Sequence, residues 1–354
     1  MREGMGNVNK SEMQSVCWNH VRKDSHQFGS PMRVRFACMA IACVLLLSLT
    51  RAAHADKSKV PPEVGYNYQE IETPRITATN GATRALSSST EALFDNPANM
   101  SVSRVYHLTA LAQIWPESGR QSYGAAAVDS VGSSARLAGG VGATYNTQDT
   151  DGIDRRWTDI RFAMSYPFSD QFYMGVAGRY LMLSQNGEGP LGTSLASGGL
   201  SGQKIVRGFA FDAGATFKPT DGLSLSIVGM NLNNPGNGFQ PTSVAGGIGF
   251  GKDLFSLEGD VAADFTTYDK TTTRAMVGGE VLLGDHFPVR AGYRYDDGAK
   301  SHSISGGLGY VDTTFGAEIA VRRVVSGDAV TAIVFGFTYH LDSSGLTSSE
   351  TDSF

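Results

Sequence analysis

The stretch "AVTAIVFGFTYHL", residues 329–341, decides how the rest of the chain is read. Its side chains alternate. Ile333, Phe335, Phe337, Tyr339 and Leu341 fall on one face; Val330, Ala332, Val334, Gly336, Thr338 and His340 fall on the other. A period of two over this length predicts an extended strand with one apolar face and one small or polar face.

The theme recurs upstream. In "FPVRAGYRYDD", residues 287–297, Val289, Ala291, Tyr293 and Tyr295 oppose Arg290, Gly292, Arg294 and Asp296. In "FSLEGDVAADFT", residues 255–266, Phe255, Leu257, Val261, Ala263 and Phe265 oppose Ser256, Glu258, Asp260 and Asp264. "WTDIRFAMSY" and "FGAEIAVR" repeat it, with Asp159, Arg161, Glu318 and Arg322 on the polar side. A soluble sandwich also alternates, but its polar face meets water and is rich in Lys, Glu and Thr. Here that face is Gly, Ala and Ser punctuated by Arg, Asp and Glu, and aromatics gather on the apolar face near strand ends. This is the pattern of lipid-facing strands around a polar lumen. Closure follows from the solvent: an open sheet edge in lipid would leave a row of unpaired N–H and C=O groups.

Between residues 105 and 341 the pattern predicts an all-β, transmembrane antiparallel barrel of about fourteen strands. The spans include 223–232, 255–267, 313–325 and 329–341, with ends uncertain by about 2–4 residues. Connections broadly alternate in length as such a barrel requires, the first turn, near "SVGSSA", being looser. "FSDQ", "PTDG", "KDL", "GDH" and "VDT" are short turns; "NTQDTDGID", "NGEGPLGTSLASGGLSGQ" and "NNPGNGFQP" are longer loops.

The amino-terminal region carries an address. Arg33 and Arg35 precede the apolar run 36–49, and Ala53-x-Ala55 follows, which predicts a signal peptide over 32–55 cut to leave Asp56. Residues 1–31 read as an upstream extension, with translation starting at Met32. Cys17, Cys38 and Cys43 all precede that cut, so the mature chain is expected to have no disulfide, thiol nucleophile or Cys metal site. Residues 342–354 form a short polar tail.

The chain has 354 residues, a net charge of −5 and 18% charged residues. That balance is of the wrong sign for a nucleic-acid partner. The inward charges Asp159, Arg161, Arg179, Asp212, Glu258, Asp260, Asp264, Arg274, Glu280, Arg290, Arg294, Asp296, Glu318 and Arg322 read as an ion-pair lattice bracing the lumen, or as a polar lining for a carboxylate or ion. Glu258 and Asp260 could do acid–base work, but no nucleophile or positioned His accompanies them, so no enzyme is expected. "DTDGID", residues 149–154, lacks the spacing of a calcium loop. "GGIGFGK", residues 246–252, reads as strand rather than phosphate loop. His107, His302 and His340 read as isolated. Neither metal nor cofactor is expected.

Residues 56–104 do not alternate. "ITATNGATRALSSSTEALFDNPANMSVSR" predicts short helices and turns, broken at Asn96-Pro97 because the residue before proline leaves the α region. Within it "EALFDNPANM", residues 91–100, resembles the N-terminal hatch of the FadL-type outer-membrane transporter family, which includes PorV-like proteins. Strand count and topology extend the resemblance over the mature chain. It implies a 14-stranded barrel with residues 56–104 folded inside as a hatch, and Asn96, Pro97 and Ala98 within it. The chain is short for a fatty-acid importer of this type, and no ligand-contacting residue is carried over. The implied function is passive uptake of hydrophobic, fatty-acid-like small molecules across an outer membrane. The alternative is a non-transporting barrel that anchors envelope or secreted proteins, as PorV-like relatives do. Expected partners are outer-membrane lipid, a hydrophobic ligand and the barrel assembly machinery; the oligomeric state is left open.

Overall fold

A computed structural model describes residues 71–148, 154–184, 205–236, 239–252, 254–268 and 270–341. The upstream extension, the signal peptide, the first part of the 56–104 segment, most of the "DTDGID" loop and the polar tail lie outside the described residues.

Among the described residues, fourteen antiparallel strands close into one barrel in sequence order, with β1 (Tyr106–Trp115) pairing β14 (Thr331–His340). Between them run β2 (Arg120–Asp129), β3 (Ala138–Gln148), β4 (Arg155–Pro167), β5 (Phe172–Ser184), β6 (Ile205–Phe217) and β7 (Leu223–Met230). They are followed by β8 (Ser243–Lys252), β9 (Phe255–Asp264), β10 (Thr272–Leu283), β11 (Phe287–Asp296), β12 (Ser301–Val311) and β13 (Phe315–Ser326). No described helix is long and apolar enough to cross a membrane; the strands are the candidates for that.

Strand ends differ from the sequence reading where a polar side chain stops the ladder. β9 ends at Asp264 rather than 267, because its carboxylate accepts bonds from Thr266 N and Thr267 N at 3.1 and 2.9 Å. β13 starts at Phe315 rather than 313, because Asp312 accepts from Thr314 N and Phe315 N at 2.7 and 2.9 Å. Those backbone bonds, from Phe315 first, also hold the Asp312 carboxyl below the usual range. β7 stops at Met230, where Asn231 takes φ +50°.

The outward face is apolar. Val141, Val176, Ile227, Ile248, Leu257 and Val261 are each more than half exposed. Aromatics ring the rim where β1 begins and β14 ends: Tyr106, Tyr166, Phe172, Phe217, Phe255, Phe287 and Tyr339 are all exposed there. Water offers no reason for such a surface; hydrocarbon bounded by an interfacial aromatic girdle does.

Residues 71–104 run along the inward face of the wall. Helix α1 (Pro74–Ala78) starts with proline at its first position, and the Thr73 hydroxyl accepts from Ile76 N at 3.3 Å. It ends in left-handed Asn80 and Gly81, with Gly81 N bonded to Ile76 O at 2.8 Å. Helix α2 (Ser89–Asp95) ends where Asn96, before Pro97, takes the extended values φ −142°, ψ 102°. A 3-10 helix (Pro97–Ser101) follows.

Candidate functional site: the filled lumen

The side chain of Asn96 organises the Asn-Pro-Ala turn. Its oxygen accepts from Ala98 N at 3.2 Å. Its amide donates to Arg84 O at 2.8 Å and to Thr216 Oγ1 of β6 at 3.0 Å. Ser165 of β4 donates to Ala98 O at 2.7 Å, and Arg161 donates to Phe94 O at 2.6 Å. The turn is thus bonded to two wall strands.

Close approach is made possible by glycine. A methyl group built on Gly175 would overlap the Pro97–Ala98 peptide, and one on Gly278 or Gly292 would overlap the backbone of Thr79. Gly214 abuts the Asn96 side chain in the same way. The inward glycines therefore form seats for the N-terminal segment. In the sequence these positions show only as small residues of the polar face; the segment they accommodate is not visible there.

The predicted inward charges fall into local groups. Asp159 pairs with Arg179 and, at 3.4 Å, with Arg161. Arg290 bridges Glu280 and Glu318, and Arg75 of α1 reaches both Glu280 (3.6 Å) and Glu91 of α2 (3.2 Å). Burial pushes the Glu91 carboxyl up, opposed by Arg75. Asp260 accepts from Thr83 N, Arg84 N and the Arg84 guanidinium. Glu258 accepts from Leu86 N at 3.1 Å, and Arg322 pairs with Glu72. Asp212 accepts from Asn231 N at 2.7 Å. Arg274 stands opposite Asp296 in the β10–β11 register, and Arg294 opposite Met276. Asp264 serves the turn after β9 instead of the lattice. Most of the groups thus include a residue of the N-terminal segment: Glu72, Arg75, Arg84, Glu91 and Asp95 are counterions that a search confined to alternating strands could not find.

One correction concerns the histidines. His107 and His340 are not isolated: register places them opposite each other across the β1–β14 seam, with ring centroids 4.2 Å apart. Only closure of the barrel brings these residues together. His302 lies 2.6 Å from the Tyr293 hydroxyl. Among the described residues no group of three or more His, Cys, Asp or Glu side chains could hold a metal ion.

The remaining space is small. A narrow cavity of about 20 Å³ lies between the N-terminal segment and the wall, lined by Ile71, Ile76, Gly81, Phe94, Asp95 and Met230 together with Arg84, Arg161, Arg294 and Arg322. Met230 also marks a break in the wall. β6 pairs with β5 along its whole length but with β7 only from Ala213 to Phe217. Beyond that point the ladder gives way to the segment after β7. Leu232 N bonds Phe211 O at 2.8 Å, and the Asn233 side chain bridges Phe211 N and Phe209 O. Outside the break lie Phe209, Phe211 and Leu232, all exposed.

No family model and no curated protein matches the chain by sequence. Solved structures do share its architecture. The Ralstonia pickettii toluene transporter TbuX superposes with a TM-score of 0.58 at 14% identity, over 77% of this chain and 99% of that one. The monoaromatic hydrocarbon channel CymD gives 0.57 at 16%, over 75% and 96%. A Pseudomonas aeruginosa FadL homologue gives 0.54 at 14%, over 76% and 98%. The likeness is one of fold, and it is the fold of the FadL-type family that residues 91–100 resemble.

Proposed function

We propose that this chain is an outer-membrane barrel for passive uptake of small hydrophobic compounds, with residues 71–104 acting as a hatch. Fatty-acid-like molecules are one substrate class, with Ile71, Ile76, Phe94 and Met230 for an alkyl chain and the arginines of the same lining for a carboxylate once residues 71–104 shift to widen the cavity; single-ring hydrocarbons, for which TbuX and CymD are named, are another. The observation that carries the reading is the coincidence at Met230. The cavity beside the hatch borders the point where the β6–β7 ladder stops, and the outside of that break is apolar. A hydrophobic solute could pass from lumen to lipid there without crossing the hatch. Each buried CH₂ gains about 0.8 kcal/mol, so a short apolar groove suffices to hold such a solute.

The test is a reversible staple across the break. Phe211→Cys with Leu232→Cys joins β6 to the segment after β7, which Leu232 N already contacts. Oxidised, this variant should lose uptake of a radiolabelled hydrophobic probe in cells, and reduction should restore it. Uptake indifferent to the staple overturns the lateral route.

A further inference from the structure

Outward-facing charges at the two rims are distributed unequally. At the rim where β1 ends and β14 begins, the described strands turn Arg156, Arg207 and Arg323 outward and no carboxylate. The opposite rim mixes Asp129 with Lys252. Arg323 is bound to Glu117. Arg156 is held by Asp154 through two bonds of 3.1 and 2.8 Å, while Arg207 has no ion-pair partner among the described residues.

Arg156 and Arg207 belong to one groove on the outside of the wall. It spans about 330 Å³, and Tyr145, Thr158, Met182 and Ser184 complete its outward lining. Polarity changes sharply below it. Two residues along a strand, about 7 Å, lead from Arg207 to Phe209 on β6 and, a step below Thr158, to Ile160 and Phe162 on β4. The Phe162 and Phe209 rings stack at 6.1 Å. The Phe162 ring covers Gly178 of the strand between them, so that the bed beneath the groove is flat and apolar.

We propose that this groove binds a phosphorylated glycolipid of the outer leaflet, its phosphates on Arg207 and Arg156 and its acyl chains over Phe162 and Phe209. The inference rests on the outer-membrane reading, in which the rim with the longer connections faces outward. Guanidinium is the group suited to phosphate, through paired N–H donors. Charge complementarity selects the occupant: a zwitterionic lipid offers one compensated phosphate, whereas a bis-phosphorylated glycolipid offers uncompensated phosphates both to Arg207, which has no acidic partner among the described residues, and to the donors of Arg156 that Asp154 leaves open.

The experiment uses the full chain in detergent, native mass spectrometry for lipid retention, and bis-phosphorylated lipid A as probe beside its dephosphorylated form and phosphatidylglycerol. Wild type should retain bis-phosphorylated lipid A at least about tenfold better than the dephosphorylated form, the scale of one charge-assisted bond. The R156Q/R207Q variant should lose that preference, and R156K/R207K should keep part of it. Heat-modifiable gel mobility checks that each variant is folded. Retention that ignores the phosphates, or survives R156Q/R207Q, overturns the site; equal retention of phosphatidylglycerol overturns the glycolipid assignment. Failure of the outer-membrane reading looks different. The wild-type chain would then not insert into plain phosphatidylcholine vesicles, whereas an inserted barrel indifferent to phosphate sinks this inference alone.

Discussion

Pro97 lies against Gly175 so closely that the wall has no room for a β-carbon there. A helix-breaking dipeptide in the N-terminal segment and a featureless position in β5 therefore form one contact, and each explains the other.

Replacing Gly175 with Ala should displace the Asn-Pro-Ala turn at a cost of about 1–3 kcal/mol, the usual penalty of overpacking. Denaturant titration of the detergent-solubilised barrel reads the loss. Increased protease cleavage between residues 96 and 101 would locate it. A midpoint equal to wild type would show that the turn can move away freely.

Asn96→Ala removes three hydrogen bonds within the buried turn. Arg84 O keeps a second donor in Asn99 Nδ2 at 3.0 Å, so the cost should fall at about 1–3 kcal/mol rather than the sum of three. The double variant Asn96→Ala/Asn99→Ala strips both donors from Arg84 O and should cost more than either single change. Equal stability of single and double variants would contradict the shared acceptor.

Arg290→Ala leaves half-buried Glu318 without its bridge and half-buried Glu280 with Arg75 alone. Breaking a fully buried pair by removing one member costs about 3–5 kcal/mol, and solvent reaching these carboxylates should bring the loss here below that range. The loss should be smaller in Arg290→Ala/Glu318→Gln, because no stranded carboxylate remains. A double variant as unstable as the single one would mean that packing rather than charge dominates there.

Phe337 is outward and about half exposed at 48%. An arginine there should impair assembly by about 2–4 kcal/mol if the position lies near the bilayer midplane. Folding yield into lipid vesicles is the measurement, and an unchanged yield would remove the lipid-facing assignment.

If residues 71–104 act as the proposed hatch, ion conductance in planar bilayers should be low. Pro97→Gly should raise it by loosening the turn, and deletion of residues 71–104 should raise it much further. A large steady conductance of the intact chain would refute the plugged lumen.

The wall was legible because a period of two survives in any local window. Phe335, Phe337 and Tyr339 could be told from Val334, Gly336 and Thr338 without knowing any neighbour. The boundaries set by Asp264 and Asp312 were missed, since a turn-forming carboxylate looks like one more polar-face residue. The sharing of Glu280 between Arg290 and Arg75, and the stacking of His107 on His340, depend on contacts between residues far apart in the chain. Alternation says which way a side chain points and nothing about what it meets. The break at Met230 was invisible for the same reason: "GMNLNNP" reads as the end of a strand, not as the place where a neighbour loses its partner.

The seam between β1 and β14 bears on the order of events in biogenesis. Thr90 of α2 bonds Thr109 of β1 at 2.7 Å, Thr109 bonds Thr338 of β14 at 2.9 Å, and Ser89 reaches His107 at 2.7 Å. The most N-terminal part of the described chain thus touches the first strand beside the line where the last must arrive. A wall that zipped shut beforehand would enclose glycine seats with nothing in them and carboxylates without counterions. Segment and circle thus complete one another, each holding the hydrogen-bond and charge partners that the other lacks alone.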